Sequence, residues 1–183
     1  PADPQIGYVG GMQIPPVEQF VVGYTAGAAY YNQQKGTKVQ VQGVYVDSFV
    51  DYDEGKIQAN TLLDQGVDII FAVGGETGNG ALAAAREWGK WGIGVDVDQY
   101  YTLPLERDIL LTSVLKRLDN AAFAVVAKTQ QGNFGDVYLG TLSNEGVGLA
   151  PYHAFEGQVP VSLDAEVKAA MAGIIAGTID TGW

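Results

Sequence analysis

Short apolar runs alternate with segments of helical period along the whole chain. Residues 69–73 (IIFAV) are apolar without a break, too short for a membrane span and rich in β-branched side chains, which predicts a buried strand. Gly74-Gly75-Glu76-Thr77-Gly78 predicts a turn into an alanine-rich helix over 81–88, closed by Gly89. Residues 91–95 form the next apolar strand, which stops at the acidic residues Asp96 and Asp98. The same unit recurs upstream. A strand over 6–9 leads to a helix after Pro15-Pro16, with Val17, Phe20, Val21, Tyr24, Ala28 and Tyr31 at helical spacing up to Gly36. A strand over 38–46 leads to a helix capped by Asp53, carrying Ile57, Ala59, Leu62 and Leu63 and closed by Gly66.

Downstream, an irregular stretch over 99–108 precedes a strand over 109–114. A helix opening at 116–119 places Ala122, Phe123, Val126 and Ala127 on one face and ends by Gly132. A strand over 136–142, a glycine turn over 144–149 and an irregular stretch over 150–161 follow. The last helix, 165–176, is capped by Ser162 or Asp164, with Val167, Met171, Ile174 and Ile175 inward. Strands and helices in alternation predict an α/β fold with a mainly parallel sheet. Such sheets place ligands outside the carboxyl ends of their strands, so the polar residues there are the candidates for function.

Composition narrows the function. The 183 residues suffice for one core, or for one core and part of another. With 47% apolar residues the chain is no disordered segment. A net charge of -11 argues against nucleic acid or an anionic membrane surface as partner. The chain has no cysteine, which excludes disulfides, thiolate nucleophiles and cysteine-ligated metals. His153 is its single histidine, read as a surface or packing residue, so neither a metal site nor a cofactor is expected. No run of 18 apolar residues predicts a membrane helix. The opening Pro-Ala-Asp-Pro has neither Met nor a signal-peptide pattern, and the first strand begins within a few residues, as expected of a processed or truncated chain.

Four strand ends carry chemistry. Residues 74–80 are glycine-rich at a helix start, where a backbone can approach a ligand, but lack the spacing of a Walker A loop or a dinucleotide fingerprint; a tight connection is the other reading. Asp96 and Asp98 lie one pleat apart and share a face if the strand reaches them. An ionised carboxylate there accepts hydroxyl hydrogen bonds from a sugar or ribose. Two acids also suit a paired-carboxylate hydrolase, and a water-exposed strand end is the plainest alternative. Phe49, in the loop Asp47-Ser48-Phe49-Val50-Asp51, either stacks on a planar ligand or covers the core edge. Lys116 reaches a ligand, pairs with Asp96 or Asp98, or is solvated. Asp47, Asp96, Thr112 and Lys116 resemble the acid, hydroxyl and lysine set of a receiver domain, whose adjacent acidic pair after the first strand is missing here.

Taken in order, these stretches resemble one family. Ile6-Gly7-Tyr8-Val9-Gly10-Gly11-Met12, with Phe20 and Gly23-Tyr24-Thr25-Ala26-Gly27, is similar to the opening of the basic membrane protein family, the PnrA-like nucleoside-binding lipoproteins of ABC importers. Val46 to Asp51, Gly55-Lys56, Gln65 to Phe71 with Gly74 to Gly78, Gly94 to Gln99, Leu111 to Arg117 and Gly146 to Leu149 match its later motifs in order. The resemblance implies a two-lobed fold of the periplasmic-binding-protein type that closes on its ligand, and it involves no catalysis. It implies that 1–115 form the second lobe, that 116–150 form a hinge-crossing segment belonging to an absent first lobe, and that 151–183 return with a C-terminal helix. Carried over, Phe49 stacks on a base, Gly74 lies against the ligand, Asp96 binds ribose hydroxyls and Lys116 stands at the rim or hinge. The partners implied are a nucleoside-like molecule and ABC permease subunits. The full protein would be extracytoplasmic and lipid-anchored. A sugar or autoinducer receptor, an α/β enzyme using Asp96 and Asp98, and a sensing domain detached from a regulator are the alternatives.

Overall fold

The computed structural model describes residues 3–135 and 137–183. Its sheet has six strands in the order β2-β1-β3-β4-β5-β6: β1 (Gln5–Gly10), β2 (Gln40–Tyr45), β3 (Ile69–Val73), β4 (Trp91–Asp96), β5 (Leu110–Lys116) and β6 (Val147–Leu149). The first five are parallel, and β6 runs antiparallel to β5 at one edge. Strand order reverses between β1 and β3, so the connections leaving these two strands diverge, the arrangement at which open α/β sheets place their ligands.

Alternation along β3 shows how the sheet is buried on both faces. Ile70 points into a core with Ala59, Leu62 and Leu63 of α2 (Tyr52–Asp64) and Ala81, Ala84 and Ala85 of α3 (Gly75–Glu87). Phe71 and Val73 point the other way, to Val17 of α1 (Pro15–Lys35) and Val95. Gly36 ends α1 in the left-handed conformation, at φ 65°, where glycine meets no Cβ penalty.

Helices α2 and α3 touch backbone to backbone. A Cβ on Gly55 would lie 1.9 Å from the Thr77 carbonyl oxygen, and one on Gly80 1.9 Å from that of Tyr52. Buried Thr77 accepts the Asp51 N–H at 3.1 Å and donates to the Ser48 carbonyl at 2.9 Å, fastening the β2–α2 loop to α3.

Several expectations need correction. Helix α3 starts at Gly75, so most of the expected glycine turn is its first turn. The cap of α2 is Asp51, whose side chain accepts the Glu54 N–H at 3.0 Å, rather than Asp53, and Ile57 faces water. The stretch expected to be irregular after Asp98 contains a helical turn, α4 (Gln99–Thr102), and a 3-10 turn at Arg107–Ile109. Residues 137–142 form no strand, and Asp136 lies outside the described residues. The edge position beside β5 is taken by β6, within the expected glycine turn, because the Arg117 N–H bonds the Gly146 carbonyl and starts that pairing. Helix α6 spans Val161–Ile175 after Pro160, without a side-chain cap; Val167, Met171 and Ile174 are half-buried and Ile175 is exposed. On α5 (Leu118–Gln130) the expected inward face is open, with Phe123 79% and Val126 57% exposed and no buried residue on the helix.

Candidate functional site

The expected residues gather along the carboxyl edge of the sheet in two groups. In the first, the Phe49 ring lies against Gly11, where a Cβ would come within 2.4 Å of it, and a Cβ on Gly74 would approach the Gly11 nitrogen to 2.9 Å. Phe49 is half-buried, and its carbonyl accepts the Glu76 N–H at 2.9 Å. The start of α3, expected either as a backbone cradle for a ligand or as a tight connection, bonds the Phe49 loop through the Glu76 N–H. Asp47, at the end of β2, sits at φ 63°, and its N–H bonds the Gly11 carbonyl at 3.0 Å.

The second group stands at the ends of β4 and β5. Asp96 is the last residue of β4 and has φ 71°, a conformation that aspartate tolerates better than most side chains. Lys116 Nζ lies 2.7 Å from Asp96 Oδ1 and 4.9 Å from the centre of the Phe20 ring. Oδ1 is enclosed, yet it meets the ammonium without the alignment of a hydrogen bond and has no other donor among the described residues. Of the pairings foreseen for Lys116, the structure shows the one with Asp96.

Asp98 belongs elsewhere. The strand stops at Asp96, so the two acids do not share a pleated face. Asp98 caps α4 through the Tyr100 N–H at 3.3 Å, and its Oδ2 lies 2.7 Å from His153 Nε2. The imidazole stacks on Tyr100 with ring centres 4.1 Å apart. A paired-carboxylate acid and base is therefore not built, and among the described residues no cluster of His, Cys, Asp or Glu is arranged for a metal.

A family model described as "ABC transporter substrate-binding protein PnrA-like" matches residues 2–177. The chain belongs to that family. The PnrA-like chain is 36% identical to Basic membrane protein D of Borreliella burgdorferi (strain JD1) over 151 residues, 79% of this chain and 42% of that protein. It is 31% identical to an uncharacterised lipoprotein of Pyrococcus furiosus, over 78% of this chain and 37% of that protein. Among solved structures, an ABC transporter solute-binding protein from Aeropyrum pernix K1 superposes with a TM-score of 0.78 at 30% identity, covering 94% of this chain and 56% of that one. The fold is thus that of the periplasmic-binding-protein type, and the family is one of substrate-binding proteins rather than enzymes. The PnrA-like chain spans less than half the length of these curated relatives.

Along this edge, several contributors are not evident from the sequence. Gln99 is buried; its side chain accepts the Val95 N–H at 2.9 Å and donates to Asn79 Oδ1 at 3.0 Å, and its backbone N–H donates to Ser113 Oγ at 3.1 Å. It ties β4, β5 and α3 together directly behind Asp96. Its only signal was its place at the end of the Gly94–Gln99 motif. Phe20 fits the core period of its helix and His153 a surface or packing position, so neither stands out in the sequence. A cavity of about 480 Å³ opens beside the second group, lined by Phe20, Val114, Lys116, Leu118, Leu139 and Val147 among others. Phe49, Gly74 and Asp96 are not among its walls. Beyond Lys116, Arg117 forks onto Asp119 at 3.1 and 2.8 Å, and this hydrogen bonding holds the Asp119 carboxyl at about 2.

Proposed function

We propose that this chain is the second lobe, with hinge-crossing and return segments, of an extracytoplasmic receptor that delivers a nucleoside-like solute to an ABC permease. Residues 1–115 form the lobe, 116–150 cross towards a first lobe, and 151–183 return. Phe49 stacks on the base, Gly74 lets the ligand approach the backbone, Asp96 accepts the ribose hydroxyls and Lys116 stands at the rim. Closure of the two lobes on the ligand stabilises the form that the permease recognises. The full protein is held at the membrane by a lipid, a reading supported by the relative named a lipoprotein.

One observation carries the ligand assignment: Asp96, its side chain 46% exposed at the end of β4, stands at the same sheet edge as the half-buried Phe49 ring. Ribose hydroxyls donate to the exposed part of the carboxylate, and a planar base packs on the ring. The open apolar face of α5 and the short span relative to family members support the division into lobes. Titration of a purine nucleoside into the full-length gene product tests the assignment. Asp96→Ala is expected to weaken binding by about 1.5–3 kcal/mol, the range for a hydrogen bond to a charged group. Unchanged affinity would remove Asp96 from the site.

A further inference from the structure

The Asp96–Lys116 pair does not stand alone. Lysine carries a flexible four-carbon stem, and an exposed ammonium paired with an exposed carboxylate samples many positions. Here the side chains of Lys116 and Asp96 are 37% and 46% exposed, so solvent screening alone would leave the pair loosely held. The Phe20 ring lies 4.9 Å from Nζ, within the range of a cation–π contact. Phe20 is anchored on α1 within the cluster of Val17, Phe71, Val95 and Val114, so its face is fixed by the core.

We infer that Phe20 is a positioning residue of the binding site: its ring clasps the Lys116 ammonium against Asp96 and thereby holds the carboxylate in one orientation. The ligand half of this inference rests on the nucleoside reading above; the clasp itself does not. Asp96 is then charge-compensated while the site is empty, and an incoming hydroxyl meets an oriented oxygen instead of a freely rotating one. Part of the ordering cost is met before the ligand arrives.

Two measurements on the same variants separate the clasp from the ligand. The first is acetylation of Lys116 by limiting acetic anhydride, followed by peptide mass spectrometry with exposed Lys38 as internal reference. Phe20→Leu is expected to raise the relative labelling rate about two- to five-fold, as expected for loss of an exposed cation–π contact, and Phe20→Tyr to restore it. Phe20→Met serves in place of Phe20→Leu if the leucine variant melts at a clearly lower temperature. The second is nucleoside affinity, expected to fall about two- to five-fold in Phe20→Leu and to recover in Phe20→Tyr. An unchanged labelling rate in both non-aromatic variants overturns the clasp. Raised labelling with unaltered affinity overturns the positioning role. If the wild-type protein binds no nucleoside, the reading of function fails, while the labelling result still decides the clasp.

Discussion

Asp96 and Asp98, two residues apart, show how partners divide similar side chains: one meets a lysine at an open strand end, the other is enclosed by a histidine and a helix cap. The sequence pointed to Phe49, Gly74, Asp96 and Lys116 because each interrupts or follows an apolar strand. Phe20, Thr77 and Gln99 were hidden, since what they do depends on partners 14 to 96 residues away or on a ring face that periodicity assigns to the core. At this scale Asp119 gives a pH prediction. Its folded carboxyl, held at about 2 by Arg117, lies below the ordinary value of 3.8. A depressed carboxyl stabilises the fold above its unfolded value and loses that contribution as pH falls from about 4 towards 2. Asp119→Asn is therefore expected to flatten the decline in stability across that window, read by denaturant unfolding at each pH. An identical slope in both proteins would mean that Asp119 does not sense folding.

Elements were legible wherever burial on both faces left a continuous apolar run, as in β3, or where alanine and glycine marked a close helix, as in α3. Their ends were less so. The cap of α2 moved from Asp53 to Asp51 because Thr77, on another helix, fixes the Asp51 backbone. The strand expected near 136–142 had β propensity, yet β6 paired with β5 in its place. Three predictions belong here. Gly80→Ala places a methyl within 1.9 Å of the Tyr52 carbonyl oxygen, forces α2 and α3 apart, and is expected to cost about 1–3 kcal/mol or more in urea unfolding. Gly27→Ala, with nothing near its Cβ on α1, is expected to be neutral or slightly stabilising in the same assay. His153→Ala unties the return segment from the end of β4 and is expected to cost about 1.5–3 kcal/mol, the scale of a hydrogen bond to a charged group. Full stability in that variant would show that the Thr112–Ala150 contact at 2.7 Å suffices to hold the segment.

For the whole molecule, the sheet order and the ends of β3 and β4 converge on one edge, where the sequence motifs also converge. The segments after β5 behave differently: α5 and α6 contain no buried residue, although their sequences carry helical periods of apolar side chains. The pattern was sound as a helix signal, but it could not say what covers the face. In the two-lobed account that cover is the first lobe, and the ligand lies between the lobes. If this edge recognises base and ribose together, calorimetric titration of the full-length gene product with a purine nucleoside, the free base and ribose will separate the two contributions. Saturable binding of the nucleoside is expected, with base or ribose alone binding at least about tenfold more weakly, since each fragment forfeits one of the two groups of contacts. Ribose binding as tightly as the nucleoside would contradict the role given to Phe49, and no binding of any of the three would contradict the assignment of the ligand.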